Sequence, residues 1–101
     1  MEKTANDRVN DQQIHEFLRN MPGWIYTSTN ASIERTFVRK NFLDAVAFIE
    51  QIAPIAERMD HHPDILLSGY KNVKVMLSTH SAGGVTQNDF VLARVIDQLP
   101  A

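Results

Sequence analysis

The sequence of 101 residues predicts an α+β fold, in which three helices pack on one face of a four-stranded antiparallel sheet. Apolar residues recur at helical spacing in three segments, near the beginning, in the middle and at the end of the chain. Two pairs of short strand-like segments lie between these helices, and a polar turn joins the members of each pair. The resulting order is α-β-β-α-β-β-α, which favours two hairpins in one sheet with the helices on a single face.

The first helix should begin after Asn10, because Asn10 and Gln13 have the spacing of a capping box. The Pro-Gly pair that follows should end it. Residues 24–26 and 33–38 then favour strands, and the polar residues between them indicate a hairpin turn. Four apolar residues of the first helix recur at helical spacing: Ile14, Phe17, Leu18 and Met21.

The long middle helix should begin at Asn41 and end at Pro63, because the residue before a proline avoids helical backbone angles. Its predicted core stripe consists of Phe42, Ala45, Val46, Ile49, Ile52, Ala53 and Ala56. A second apolar stripe on the same helix consists of Phe48, Ile52, Ile55 and Met59. A helix that is apolar on two faces is buried on both. We therefore expect a homodimer or homotetramer with the long helix in one interface, unless the first or last helix covers this stripe. The outer face of the sheet, with Met76, is the other candidate surface.

The second hairpin is predicted from residues 64–67 and 72–79, which a turn at residues 68–71 connects. Thr86 and Asp89 have the spacing of a capping box and should start the last helix. The apolar stripe of that helix consists of Leu92, Val95, Ile96 and Leu99. Alternate residues of a strand share a face, so one group is predicted to face the core together: Val73, Val75 and Leu77.

The composition is that of one ordinary globular domain. Apolar residues make up 44% of the chain, and the formal net charge of −2 gives no reason to expect nucleic-acid or membrane binding. There is no cysteine, which excludes disulfides and cysteine-based zinc sites. No apolar run approaches the length of a membrane span. We expect a cytoplasmic protein, with a flexible N-terminal tail at residues 1–9 and a single domain over residues 10–101.

Three of the four histidines, His61, His62 and His80, lie in one stretch of the chain among acidic residues. Histidine changes charge near neutral pH, so the cluster indicates proton transfer or metal binding. Glu57 would share a helical face with His61, and the negative end of the helix favours a protonated ring there. If the hairpin ends meet, one histidine can act as acid and another as base. The rival interpretations are a metal site that adds Asp89 as a ligand, and plain solvated surface.

The spacing of these residues resembles the signature of the pterin-4a-carbinolamine dehydratases. An acid stands four residues before His-His-Pro, an aromatic residue follows, a third histidine comes ten residues later, and an aspartate nine after that. The matching positions are Glu57, His61, His62, Pro63, Tyr70, His80 and Asp89. The resemblance extends from about residue 10 to residue 99. Ile65 stands where animal members often have an aromatic residue, and the surrounding sequence looks more like the bacterial members.

The resemblance implies a hydro-lyase that converts 4a-hydroxytetrahydrobiopterin to quinonoid dihydropterin and water, in tetrahydropterin recycling. It implies histidine general acid and base catalysis with no metal and no cofactor. His61 and His80 would be the acid and the base, in an order left open, and His62 would bind the substrate. The remaining site residues would bind substrate or orient the histidines: Glu57, Asp60, Pro63, Ser78, Thr79 and Asp89.

The same resemblance leaves a non-catalytic alternative. Animal members of the family also act as dimerisation cofactors for a homeodomain transcription factor, so the chain could be a binding module, or an assembly factor that has kept the fold. If the chain is catalytic, the implied partners are a pterin substrate and, functionally, an aromatic amino acid hydroxylase. Trp24 is expected in the core with one edge near the site, and His15 is expected to be a solvated helix residue.

Overall fold

The computed structural model describes residues 7–100 and confirms the predicted order of elements and the α+β class. The helices and strands are α1 (Asp11–Leu18), β1 (Ile25–Thr27), β2 (Ser32–Val38), α2 (Phe42–Met59), β3 (Asp64–Ser68), β4 (Asn72–Leu77) and α3 (Gln87–Asp97). One 3₁₀ turn, His80–Ala82, lies between β4 and α3. Within residues 7–100, no helix is both long enough and apolar enough to cross a membrane.

The four strands form one antiparallel sheet in the order β1-β2-β4-β3. Both predicted hairpins are present, and β2 pairs with β4 to join them. The inner face carries Ile33, Val73, Val75 and Leu77, all completely buried beneath the helices. On the outer face Leu66 is half exposed, whereas Ser32 and Glu34 are buried. An ion pair between Lys74 and Glu34, 3.4 Å between Nζ and Oε1, lies on this outer face.

Helix α1 begins as predicted. The Asn10 side chain accepts a hydrogen bond from the backbone of Gln13 at 2.8 Å, and the Gln13 side chain accepts one from the backbone of Asn10 at 2.9 Å. Val9 is buried, and its N–H donates to Val85 O at 2.8 Å. The predicted tail at residues 1–9 therefore overlaps the core at Val9, and its first six residues lie outside the described part of the chain.

Helix α2 buries part of its predicted stripe, namely Ala45, Ile52 and Ala56, together with Phe48, which was predicted in the second stripe. Its fully buried residues are Ala45, Phe48, Ile52 and Ala56, whereas Phe42 and Ala53 are exposed. The Phe48 ring packs against the Phe37 ring, with centroids 4.9 Å apart. Phe48, which was predicted in the second stripe to face a partner chain, is thus a core residue of the monomer, and its assignment to an interface is wrong. Ile52, which was predicted in both stripes, is buried in the core.

Trp24 belongs to the core, as expected. It is 4% exposed, and its indole N–H donates to both carboxylate oxygens of Asp97 at 3.0 Å. Arg35 pairs with the same carboxylate at 2.8 Å. These contacts tie the start of β1 to the end of α3. Trp24 does not line the cleft that contains the three histidines.

Candidate active site

The end of α2 separates the two neighbouring histidines. The helix ends at Met59, and Asp60 adopts a left-handed conformation with φ 51° and ψ 43°. The N–H of His61 then donates to Ala56 O at 3.0 Å. Aspartate is one of the few non-glycine residues that tolerate this conformation. The predicted helix end at Pro63 is therefore wrong by several residues, because the chain turns away at Asp60.

Each of the two histidines pairs with a different carboxylate. His61 Nε2 lies 2.5 Å from Asp89 Oδ1, and His62 Nε2 lies 2.7 Å from Glu57 Oε1. The expected pairing of Glu57 with His61 is not formed, because the left-handed turn takes His61 off the helical face. The His62 and Glu57 side chains are mostly exposed, and exposed ion pairs contribute little to stability.

The Asp89 carboxylate fixes the position of the His61 ring through its contact with Nε2. Its side chain is completely buried, at the third position of α3, and its Oδ2 accepts hydrogen bonds from Thr86 N at 2.8 Å and Thr79 Oγ1 at 3.0 Å. The predicted capping box with Thr86 is confirmed. An ionised carboxylate only accepts hydrogen bonds, so His61 Nε2 carries the hydrogen in this pair. Nδ1 of His61 is then the ring nitrogen left for a bound molecule.

His80 approaches the same place from the end of β4. It starts the 3₁₀ turn, and the loop after it is closed by two backbone hydrogen bonds between Thr79 and Gly84, at 2.8 and 3.3 Å. Gly83 has a φ of 72°, which allows the tight return of the chain. The His80 ring is exposed and has no hydrogen-bond partner among residues 7–100. Both of its nitrogens are therefore open to a ligand.

The three histidines line one cleft of about 390 Å³. Its walls are Met59, Asp60, His61, His62, Ser78, Thr79, His80, Ser81 and Asn88. Six of the nine predicted site residues are in this set. Glu57 and Asp89 instead contact the cleft through His62 and His61, and Pro63 is not in the wall. Residues adjacent in sequence to the predicted ones complete it, and sequence reasoning missed them: Met59, Ser81 and Asn88.

Two other positions of the sequence pattern lie away from the cleft. Tyr70 is exposed in the turn between β3 and β4, with a φ of 56°. Ile65 pairs with Val75 on the inner face of the sheet and packs against the core. The absence of an aromatic side chain at position 65 therefore does not change the wall of the cleft.

The arrangement favours proton transfer over metal binding. No group of three or more histidine, cysteine or acidic side chains within residues 7–100 is placed to hold a metal ion. Nε2 of His61 and Nε2 of His62 are each occupied by a carboxylate instead. What remains is one histidine backed by a buried aspartate and another that is free, on the walls of a single cleft. Such a pair can donate a proton to one atom of a ligand and remove one from another.

Known proteins share both the sequence and the fold. The chain matches the family described as pterin 4 alpha carbinolamine dehydratase over residues 7–99. A relative from Rhodopseudomonas palustris is 45% identical over 94 residues, which cover 93% of this chain and 92% of the relative. One from Sulfolobus acidocaldarius is 42% identical over 92 residues, covering 91% and 98%. Both carry the provisional name pterin-4-alpha-carbinolamine dehydratase.

Two solved structures have similar folds. A transcriptional coactivator/pterin dehydratase from Brucella melitensis superimposes with a TM-score of 0.84 and 37% identity, over 90% of this chain and 96% of that one. A pterin dehydratase-like protein described as a RuBisCO assembly factor in the alpha-carboxysome gives a TM-score of 0.62 and 19% identity, over 76% and 88%. At that identity the second similarity concerns the fold alone.

Proposed function

Because the chain belongs to the pterin 4 alpha carbinolamine dehydratase family, we propose that it dehydrates 4a-hydroxytetrahydrobiopterin to quinonoid dihydropterin and water. The reaction breaks the bond between C4a and its hydroxyl oxygen and forms a double bond between C4a and N5. The hydroxyl group needs a proton to leave as water, and N5 must give up its proton. These two transfers require an acid and a base near two neighbouring atoms of the substrate.

His61 and His80 are suited to these transfers, in either order. The buried Asp89 carboxylate fixes the orientation of the His61 ring and stabilises its positive charge in whichever step the ring is protonated. His80 has no competing partner within the described residues and can exchange protons with solvent between turnovers. His62, in its exposed pair with Glu57, would bind the substrate. The observation that carries the proposal is this convergence of three histidines on one cleft backed by a buried aspartate.

A dehydration assay on the synthetic carbinolamine tests the proposal. His61→Ala and His80→Ala should each lower kcat by about 10²–10⁴-fold, the usual contribution of one positioned acid or base. His62→Ala should mainly raise KM. His15→Ala is the matched control, because His15 is exposed on α1 and outside the cleft. Turnover like that of the wild type in the His61→Ala, His80→Ala double variant would refute the assignment.

We further propose that the enzyme acts in tetrahydropterin recycling in the cytoplasm, in step with an aromatic amino acid hydroxylase that forms the carbinolamine. The family relationship supports this setting. We also propose a homodimer or homotetramer in which α2 contributes to one interface. Since Phe48 and Ile52 are buried in the monomer, we assign to that interface three largely exposed apolar residues at the end of β2 and the start of α2: Val38, Phe42 and Leu43.

A non-catalytic role is the second candidate. The fold also occurs in a protein described as a RuBisCO assembly factor, and the Brucella melitensis protein is described as a transcriptional coactivator as well as a pterin dehydratase. A chain that served only as a binding module would need no acid and base in its cleft. The complete histidine set therefore favours the enzyme, and an inactive wild-type protein in the carbinolamine assay would favour the binding module.

A further inference from the structure

A second cleft, which we call the α1–α3 cleft, is formed by residues of the first and last helices. Its volume is about 330 Å³, and it is lined by Gln13, Glu16, Phe17, Asn20, Gln87 and Arg94. It shares no lining residue with the histidine cleft. Cavities of this size can hold a small molecule, and neither the proposed dehydration nor the proposed assembly uses this one.

An aromatic ring supplies the apolar part of the wall. The Phe17 ring stacks on the buried Phe90 ring, with centroids 4.4 Å apart and an angle of 18° between the planes. This stack holds the half-buried Phe17 ring in place at the cleft. The guanidinium carbon of Arg94 lies 5.9 Å from the centre of the Phe17 ring, within the range of a cation–π contact. An apolar surface and a positive charge therefore lie side by side.

Two opposite charges line the α1–α3 cleft without forming an ion pair. Glu16 belongs to α1 and Arg94 to α3, and the side chains of both are free of ion pairs and hydrogen bonds within residues 7–100. A simple anion would satisfy Arg94 but would be repelled by Glu16, and a simple cation would meet the reverse. A molecule that carries both a carboxylate and an ammonium group satisfies both side chains. The cleft is therefore complementary to a zwitterion.

The chemistry of the walls narrows the class of zwitterion. The Arg94 guanidinium can bind a carboxylate through two parallel hydrogen bonds, and the Glu16 carboxylate can accept from an ammonium group. An aromatic group next to these charges would pack on the Phe17 ring, because pairs of aromatic rings gain more than their buried area alone provides. An α-amino acid with an aromatic side chain carries all three groups within a few bonds of one another.

We propose that the α1–α3 cleft binds a free α-amino acid with an aromatic side chain. Its carboxylate contacts Arg94, its ammonium group contacts Glu16, and its ring packs on Phe17. The inference goes beyond the proposed function and does not depend on it. For a ligand of this size at a surface cleft, we expect a Kd of about 1 mM.

Titration of the nitrogen-15-labelled full chain with phenylalanine, followed by backbone amide spectra, tests the proposal. Saturating shift changes should centre on the residues that line the α1–α3 cleft. Three analogues each lack one group: phenylethylamine has no carboxylate, phenylpropionate has no ammonium group, and alanine has no ring. Each should bind at least about fivefold more weakly than phenylalanine, since one exposed ion pair contributes at most a factor of about five and the ring contact contributes a similar amount.

Variants of the two charged residues assign each group of the ligand to its partner. Arg94→Gln should weaken phenylalanine binding about fivefold but should not weaken the binding of phenylethylamine, which has no carboxylate to lose. Glu16→Gln should likewise weaken phenylalanine but not phenylpropionate. Arg19→Gln is the matched control, because Arg19 is an exposed arginine at the end of α1 that does not line the cleft. It should bind phenylalanine as the wild type does.

Three outcomes would overturn the proposal. One is the absence of saturating shift changes at phenylalanine concentrations about tenfold above 1 mM. Another is a set of shift changes centred on His61 and His80, which would place the amino acid in the other cleft. The third is an equal loss of phenylalanine and phenylethylamine affinity in Arg94→Gln. Glu16, Arg19 and Arg94 are all exposed, so these variants should keep the fold, and dehydration plays no part in the measurement.

Discussion

At the scale of single residues, the buried carboxylate of Asp89 determines how the His61 ring is held. It receives three hydrogen bonds, from His61, Thr79 and Thr86. A buried charge is tolerated only when it is paired and hydrogen-bonded. The pair therefore fixes the ring position and leaves Nδ1 for a bound molecule. Under the proposed function, Asp89 would be a positioning residue for His61.

Asp89→Asn should lower kcat by about 10- to 100-fold, because a hydrogen bond to a charged group is worth roughly 1.5–3 kcal/mol and 1.4 kcal/mol corresponds to a factor of about ten. An asparagine amide can donate to Nε2, so the ring hydrogen of His61 should move to Nδ1. Nitrogen-15 spectra of the histidine rings would detect this change of tautomer, which a purely structural role for Asp89 would not produce.

Thr79→Val is the matched control for that change. It removes one donor to Oδ2 but leaves the contact between Oδ1 and His61, so it should cost less activity and keep the tautomer. If a folded Asp89→Asn protein has the wild-type kcat and an unchanged ring spectrum, the positioning role is wrong.

At the scale of secondary structure, the first turn of α2 has an acid that ties the helix to the preceding strand. The N–H of Lys40 donates to Asp44 Oδ2 at 3.0 Å, and Arg39 lies beside the same carboxylate. The hydrogen bond from Lys40, with the nearby positive charges, holds the pKa of Asp44 below its ordinary value of 3.8. The stabilisation is complete above that ordinary value and is lost as the pH falls through the lower value of the folded protein.

Asp44→Asn should therefore lower the urea midpoint of unfolding at neutral pH, and the difference from the wild type should shrink as the pH is taken well below 3.8. Asp11→Asn serves as the comparison, because Asp11 is the first-turn acid of α1 and its side chain has no hydrogen bond to any residue in the described part of the chain. A difference between Asp44→Asn and the wild type that is constant across this pH range would contradict the assigned role.

The helices and strands differ in how well their local sequence predicts which face is buried. The alternation of Val73, Val75 and Leu77 correctly predicted which face of β4 is buried, because one strand face must be apolar when a helix layer covers it. The buried face of helix α2 was harder to predict, because apolar residues occur on most of its circumference. Local periodicity cannot say whether Phe42 or Phe48 faces the core. The contact of Phe48 with Phe37, a residue of another element, decides it.

The candidate site shows the same limit. The spacing pattern predicted its three histidines and the buried acid, because those residue types carry the chemistry. The prediction paired Glu57 with His61, whereas Glu57 pairs with His62 in the structure. The pairing depends on the left-handed backbone of Asp60. Such a single-residue departure from helical geometry leaves no periodic signal in the sequence.

At the scale of the whole molecule, the proposed assembly surface and the cleft lie at opposite ends of the central strand pair. Ile33 pairs with Leu77 at the end where the cleft lies, and Val38 pairs with Asn72 at the other. Val38, Phe42 and Leu43 are 67%, 53% and 79% exposed. Contiguous exposed apolar residues mark interaction surfaces, and an interface at this end would leave the cleft open.

Light scattering of the wild type should therefore give a mass above that of the 11.5 kDa chain. Phe42→Ser with Leu43→Ser should reduce the mass while the dehydration rate is maintained. Val91→Ser, at an exposed apolar residue of α3 away from these residues, should leave the mass unchanged. A wild type that is monomeric at micromolar concentration would rule the assembly out, and an unchanged mass in the double variant would move the interface elsewhere.

The Asp89 side chain has two structural roles, and these affect how the sequences of distant relatives should be compared. Because this side chain both starts α3 and holds His61, selection for a stable helix would retain an acid there long after catalysis had been abandoned. An aspartate at this position alone therefore does not show that a relative is an active enzyme. The His80 ring has no such structural role, because no described residue forms a hydrogen bond with it. A lineage that needed only the fold could therefore lose this histidine without losing stability. If the proposed function is right, position 80 is therefore where the loss of dehydratase activity should first be visible in a sequence of this fold.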